Sequence, residues 1–124
     1  MKPKLNVFNP ETEFFIHEGC HIIEMINNDD DPMLSIARAR VTPGTTTRWH
    51  RLVGITERYV ILSGQGRVDI EGLAPQNIST GDTVTIPAMT PQRITNIGTD
   101  DLLFLAVCSP RFITSAYEDI EPTE

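Results

Sequence analysis

An imidazole and a carboxylate in the middle of the chain, His50 and Glu57, are spaced to meet on two neighbouring strands. Side chains alternate between the two faces of a strand, so a hairpin can bring both groups to one face. There they could coordinate a divalent metal, or form a buried hydrogen-bonded pair without one. Tyr59 shares the face of Glu57, where its phenol is either a wall of the site or an acid. We therefore treat His50, Glu57 and Tyr59 as candidate catalytic residues.

Three arginines near these residues predict a site for an anion. Arg38 and Arg40 share one face of a strand whose other face carries small apolar residues. If that apolar face packs against a second sheet or a partner subunit, both guanidiniums point inward, as Arg48 does by its phase with His50. Inward guanidiniums would grip a carboxylate or phosphate of a small organic ligand, with Glu57 as a competing partner. The alternative is an ordinary solvated face, because arginine is seldom buried.

The elements that position these residues are indicated by turn-forming residues, which recur at short intervals from Asn27 to Asp101. The segments between them are rich in β-branched and aromatic residues, and none has room for a long helix. This rhythm predicts an all-β sandwich or barrel. The predicted strands include HIIEM, SIARARV, TTTRWHRL, RYVIL, RVDI, DTVTI, QRIT and LLFLAVC.

The chain of 124 residues has room for one domain, which we place over 1–124. The core is expected over about 14–110, after a polar lead-in, and residues 111–124 form either a covering arm or a frayed tail. Trp49 alternates with His50 and is therefore expected on the outside, where a homodimer contact would cover it.

Composition argues against several classes of partner. A net charge of -7 is a poor match for nucleic acid or for anionic lipid. The chain lacks both an apolar run long enough for a membrane helix and a secretory signal, so a cytoplasmic location is expected. Cys20 and Cys108 are widely separated, which favours two reduced, packed thiols over a disulfide.

The stretch around His50 resembles the first motif of the cupin family, in which a glycine, a His-x-His pair, a glutamate and a second glycine follow at fixed intervals. Gly44, His50, Glu57 and Gly64 fit that spacing, and Leu52 stands where the second histidine is expected. A leucine has no lone pair to offer a metal. From this motif the resemblance therefore carries over only His50 and Glu57 as ligands.

The stretch GDTVTIPAMTPQRITN resembles the second cupin motif. Gly81, Pro87 and Asn96 match it, whereas Met89 replaces a glycine and Gln92 replaces the last ligand histidine. The amide oxygen of Gln92 is still a possible ligand for a hard cation. The two motifs with the strands around them cover roughly residues 33–108.

The resemblance implies a double-stranded antiparallel β-barrel, also called a jelly roll, with a divalent metal inside. The implied ligands are His50, Glu57 and Gln92, and the metal could be Fe, Mn, Ni, Co or Zn. The activity implied is that of a metal-dependent oxygenase, isomerase, lyase or hydrolase acting on a small anionic molecule. Two alternatives stay open: a metal-free barrel that binds or senses a ligand after losing catalysis, and a metal-free acid–base enzyme similar to the sugar epimerases.

Overall fold

The computed structural model describes residues 1–123, which are built mainly from short antiparallel strands. Two single-turn 3-10 helices, Pro10–Thr12 and Thr114–Ala116, flank the region that contains most of them. No helix in this part of the chain is long and apolar enough to cross a membrane. The strands are β1 (Phe14–Phe15), β2 (His21–Ile26), β3 (Ser35–Val41), β4 (His50–Leu52), β5 (Thr56–Ser63), β6 (Gln65–Ile70), β7 (Gln76–Ser79), β8 (Thr83–Ile86), β9 (Gln92–Asn96), β10 (Leu102–Ser109) and β11 (Tyr117–Asp119).

The strands form two facing sheets, which confirms the predicted all-β jelly roll. One sheet has the order β1-β2-β3-β10-β5-β8, and the other has the order β11-β4-β9-β6-β7. All strand pairs are antiparallel, and the two sheets are not hydrogen-bonded into a closed cylinder. From β3 onward consecutive strands alternate between the two sheets, except that β6 and β7 are neighbours in the same sheet. Residues distant in sequence therefore face each other across the interior.

The core lies between the sheets and follows the alternation of side chains along each strand. On β6, Gly66, Val68 and Ile70 are buried, whereas the residues between them reach the surface. Phe104 is 2% exposed and packs against the ring of Tyr59, with 4.5 Å between the ring centroids. This apolar layer supports the polar side chains that point into the same space from β5 and β9.

The small residues of β3 do pack against the second sheet, but that face is the interior of the jelly roll, so the predicted inward direction of Arg38 and Arg40 is wrong. Ala39 is 2% exposed and lies in the core. Outside the core, Arg38 Nη2 donates to a carboxylate oxygen of Glu13 at 3.1 Å, and Arg40 Nε donates to the same carboxylate at 3.1 Å. Arg40 also reaches Asp101, at 3.3 Å. Both guanidiniums are therefore held by acidic groups on the outer face.

Arg48 also lies outside, because residues 46–49 do not continue the strand alternation of β4. The buried residue of this stretch is Thr47, whose backbone N–H donates to Ile94 O at 2.9 Å. Arg48 Nε instead donates to Asp119 Oδ2 at 2.6 Å. The inward direction predicted from the phase of His50 is therefore wrong for Arg48.

The C-terminal arm packs onto its own chain. Its strand β11 pairs with β4, so that Tyr117 lies opposite Leu52. The backbone of Trp49 accepts a hydrogen bond from Ile120 N at 3.0 Å, and the Arg93 guanidinium carbon lies 4.5 Å from the centre of the indole ring. The arm thus covers part of the surface that we assigned to a homodimer, and the homodimer itself stays a prediction.

Candidate functional site

Glu57, Tyr59 and Gln92 form a buried chain of hydrogen bonds that bridges the two sheets. The Tyr59 hydroxyl donates to Gln92 Oε1 at 2.6 Å, and Gln92 Nε2 donates to Glu57 Oε1 at 2.8 Å. Gln92 is 1% exposed, so its amide must find both partners inside the protein. The fold therefore brings these three predicted site residues into direct contact.

His50 is buried beside this chain and is held in one tautomer. Its Nδ1 lies 2.7 Å from the backbone oxygen of Arg48, which can only accept, so Nδ1 carries the proton. Burial lowers the pKa of His50, which favours the neutral ring and leaves a lone pair on Nε2. The Tyr117 ring stacks on the imidazole at a centroid distance of 5.3 Å. His50 and Glu57 both reach the interior, but no hydrogen bond joins them within residues 1–123.

Glu18 is a member of this cluster that the sequence motifs did not reveal. It lies in the turn between β1 and β2, and its Oε1 is 3.4 Å from His50 Nε2. Its other carboxylate oxygen accepts a weak hydrogen bond from Cys20 Sγ at 3.6 Å. Burial raises the pKa of Glu18 to about 7, so the carboxyl group takes up a proton near neutral pH. That proton can be shared with the lone pair of His50.

Glu18, which is half-buried, and Glu57, which is buried, both lack a cationic side chain as partner. No Lys or Arg nitrogen of residues 1–123 lies within 4 Å of either one. Burial raises the pKa of Glu57, and the nearby charge of Glu18 raises it further. Two neighbouring carboxylates that are shielded from bulk solvent repel each other, so the pair favours a proton, a cation or a hydrogen-bond donor from a ligand.

The predicted ligand set does not fit a divalent metal in this arrangement. Among the side chains of residues 1–123, no three or more His, Cys, Asp or Glu groups converge on a metal position. The amide oxygen of Gln92 accepts from Tyr59, and its NH2 group donates to Glu57, so the amide presents a donor and not an oxygen on the side of Glu57. Leu52 packs in an apolar cluster with Ile55.

A cavity of about 590 Å³ opens beside the cluster. Glu57 and Glu18 form part of its wall, together with Tyr117, whose hydroxyl is buried without a hydrogen-bond partner in the described chain. His50, Tyr59 and Gln92 stand behind this wall, and Arg38, Arg40 and Arg48 do not contact the cavity. The apolar part of the wall comes from Phe14, Ile16, Ile22, Ala37, Ala106, Phe112 and Ile113.

This arrangement can bind the polar end of an organic molecule and exchange protons with it. Glu57 and Glu18 reach the cavity and have raised pKa values, so each can act as a hydrogen-bond donor when protonated and as a base when ionised. Gln92 and His50 orient the two carboxyl groups from behind.

The amino-acid sequence is similar to those of known proteins. A family model described as the cupin domain matches residues 37–108. An uncharacterised protein of Methanocaldococcus jannaschii, MJ1618, is 34% identical over 90 residues, which are 73% of this chain and 69% of that protein.

Two solved structures superpose on the same two sheets. A protein of Thermotoga maritima, described as a predicted oxalate decarboxylase, is 27% identical with a TM-score of 0.67, covering 73% of this chain and 80% of that one. A variant of Streptomyces PAC13 with uridine is 18% identical with a TM-score of 0.74, covering 90% of this chain and 86% of that one. The second likeness bears on the fold alone.

Proposed function

Since the chain belongs to the cupin family, we propose that it binds a small organic molecule in the cavity between its two sheets. The observation that carries this proposal is the cavity of about 590 Å³, in which apolar walls surround the carboxyl groups of Glu18 and Glu57. Pockets of about 300–1,000 Å³ with apolar walls and a few polar groups are typical of small-molecule sites.

The unsatisfied hydroxyl of Tyr117 supports the same proposal. A buried polar group without a partner costs free energy. Tyr117 lines the cavity, so a small movement of its side chain would let a ligand there satisfy that hydroxyl. The uridine in the structure of PAC13 shows a small organic molecule accompanying another protein of this fold.

Hexan-1-ol is a suitable first probe, because it combines an apolar body with one hydroxyl group. We expect it to shift backbone NMR signals of residues that line the cavity, Ala37 and Ala106 among them. The variant Ala106→Leu fills the space and should weaken binding about tenfold, which corresponds to a loss of about 1.4 kcal/mol.

The matched control is Val107→Leu, the next residue on β10, which lies outside the cavity wall. It should bind hexan-1-ol as the unmodified chain does. The proposal fails if the unmodified chain shows no saturable binding, or if Ala106→Leu and Val107→Leu bind equally well.

A second candidate function, divalent-metal binding at His50, Glu57 and Gln92, is favoured by one observation. Glu18 and Glu57 are buried without a cationic side chain, and His50 directs an unprotonated nitrogen toward Glu18. A metal would neutralise both carboxylates, although Gln92 would first have to turn its oxygen away from Tyr59.

Metal content after reloading separates the two candidates. Chain purified without chelator and reloaded with Fe, Mn, Ni, Co or Zn should hold about one ion per chain by mass spectrometry if the second candidate is right. Glu57→Gln should then lose the ion, while the exposed Glu71→Gln retains it. A content below about 0.1 ion per chain with every metal would exclude this candidate.

A further inference from the structure

Arg111 is the arginine that contacts the cavity. It follows β10, and its side chain forms part of the same wall as Glu57. Its backbone N–H donates to Pro32 O at 3.1 Å, which fixes the position of the residue at the cavity edge. Neither sequence motif includes Arg111.

Asn27 orients the Arg111 guanidinium without neutralising it. Arg111 Nη1 donates to Asn27 Oδ1 at 3.0 Å, and Asn27 Nδ2 donates in turn to Phe112 O at 2.9 Å. The partner is thus a neutral amide that is itself held in place. The orientation of the guanidinium does not depend on an ion pair.

The charge of Arg111 is unpaired within residues 1–123, since no carboxylate oxygen there lies within 4 Å of it. Most other arginines of the chain have such a partner, and Arg58, which donates to Ser109 Oγ, lies on the exposed surface away from the cavity. The arginines with carboxylate partners are Arg38, Arg40, Arg48, Arg51, Arg67 and Arg93.

A half-buried guanidinium at an apolar cavity matches a carboxylate, which it can bind through two parallel hydrogen bonds. Three carboxyl groups, Glu18, Glu24 and Glu57, contact the same cavity. A second anionic group on a ligand would be repelled by these carboxyl groups when they are ionised, whereas a hydroxyl or an apolar end would not be. One guanidinium beside three carboxyl groups therefore favours a ligand with a single negative charge over one with two.

We propose that Arg111 anchors the carboxylate of a small monocarboxylic acid whose apolar body fills the cavity. This inference rests on the proposed function, because it names the class of ligand for the same cavity. It also moves the predicted anion contact from Arg38, Arg40 and Arg48 to a residue of the C-terminal arm.

Hexanoate and hexan-1-ol, titrated by calorimetry and NMR, test the inference because they differ mainly in the charged group. The unmodified chain should bind hexanoate at least about tenfold more tightly than hexan-1-ol. Arg111→Gln should abolish that preference while leaving hexan-1-ol binding intact, which also shows that the variant is folded. Arg111→Lys keeps the charge without the planar fork and should retain part of the preference. Arg58→Gln is the control and should behave as the unmodified chain.

Each outcome has one meaning. If hexan-1-ol binds but hexanoate binds no better, or if Arg111→Gln keeps the preference, Arg111 is not the anchor and the proposed function survives. If neither compound binds, both the inference and the proposed function fail. Loss of hexan-1-ol binding in Arg111→Gln together with retention in Arg111→Lys would assign Arg111 to the structure of the cavity wall and overturn the anchor.

Discussion

Replacing Gly64 by alanine is expected to lower the free energy of unfolding by about 3 kcal/mol or more. Gly64 turns the chain between β5 and β6 with φ +91, a conformation that side chains disfavour. A Cβ atom there would lie 2.7 Å from Asp101 O and 2.9 Å from Leu102 Cα. Both contacts are with backbone, which cannot rotate away as a side chain can. The turn at Gly64 would therefore have to shift away from the start of β10.

Gly81→Ala is the matched control, because Gly81 has the same φ of +91 but no atom within 4 Å of the added Cβ. It should carry only the conformational cost, about 1 kcal/mol. Urea unfolding of the two variants and the unmodified chain measures both values. Equal destabilisation would show that the close approach of Gly64 to β10 contributes nothing.

The fold was predictable because its signals are local. Turn residues and β-branched segments recur along the chain, and Gly64 stands where a glycine of the first cupin motif is expected. The jelly roll and the resemblance to cupins are both confirmed. Met89 shows how a departure from a motif is tolerated, since it takes the place of a glycine and keeps a positive φ of 66.

The direction of individual arginines was less predictable, because alternation defines two faces without saying which one is inside. On β3 the small residues pack inward, and Glu13 from the lead-in holds Arg38 and Arg40 outside. Arg48 precedes β4, which begins at His50, so the alternation of side chains along that strand does not determine its direction.

The site was predictable only where a motif marks it. The spacing of the two motifs placed Glu57 and Gln92 in hydrogen-bond contact, although their roles in metal binding or catalysis stay predictions. Glu18 and Arg111 lie outside both motifs. Glu18 meets His50 from a turn 32 positions earlier in the chain, and Arg111 meets Asn27 from 84 positions later. Contacts of this kind follow from how the sheets face each other, which no local pattern encodes.

The pH dependence of stability follows from the environment of Glu18. Its folded-state pKa of about 7 lies above the ordinary value of 4.5, so the folded chain holds this proton more tightly than the unfolded chain. The full stability contribution is present below 4.5, decreases as pH rises, and is lost above about 7. Leaving Glu18 ionised in its folded position therefore costs on the order of 3 kcal/mol at alkaline pH.

Glu18→Gln should remove that penalty, because the amide has nearly the same shape and no charge. Its NH2 group can donate to the lone pair of His50 Nε2, which Glu18 now faces at 3.4 Å. We expect the variant to gain about 2 kcal/mol over the unmodified chain as the pH rises from about 5.5 to about 8. Urea unfolding at these two pH values measures the gain.

The exposed Glu71→Gln is the control and should follow the unmodified chain at both pH values. His50 contributes in the opposite direction, because its lowered pKa makes protonation below its ordinary value of 6.5 destabilising. This contribution cancels between Glu71→Gln and the unmodified chain, and at pH 8 His50 is neutral in all three chains. A constant difference between Glu18→Gln and the unmodified chain across this range would show that Glu18 is ionised throughout. In that case the buried carboxyl pair would already have a counter-charge, and the second candidate, a bound metal, would be favoured over the metal-free site.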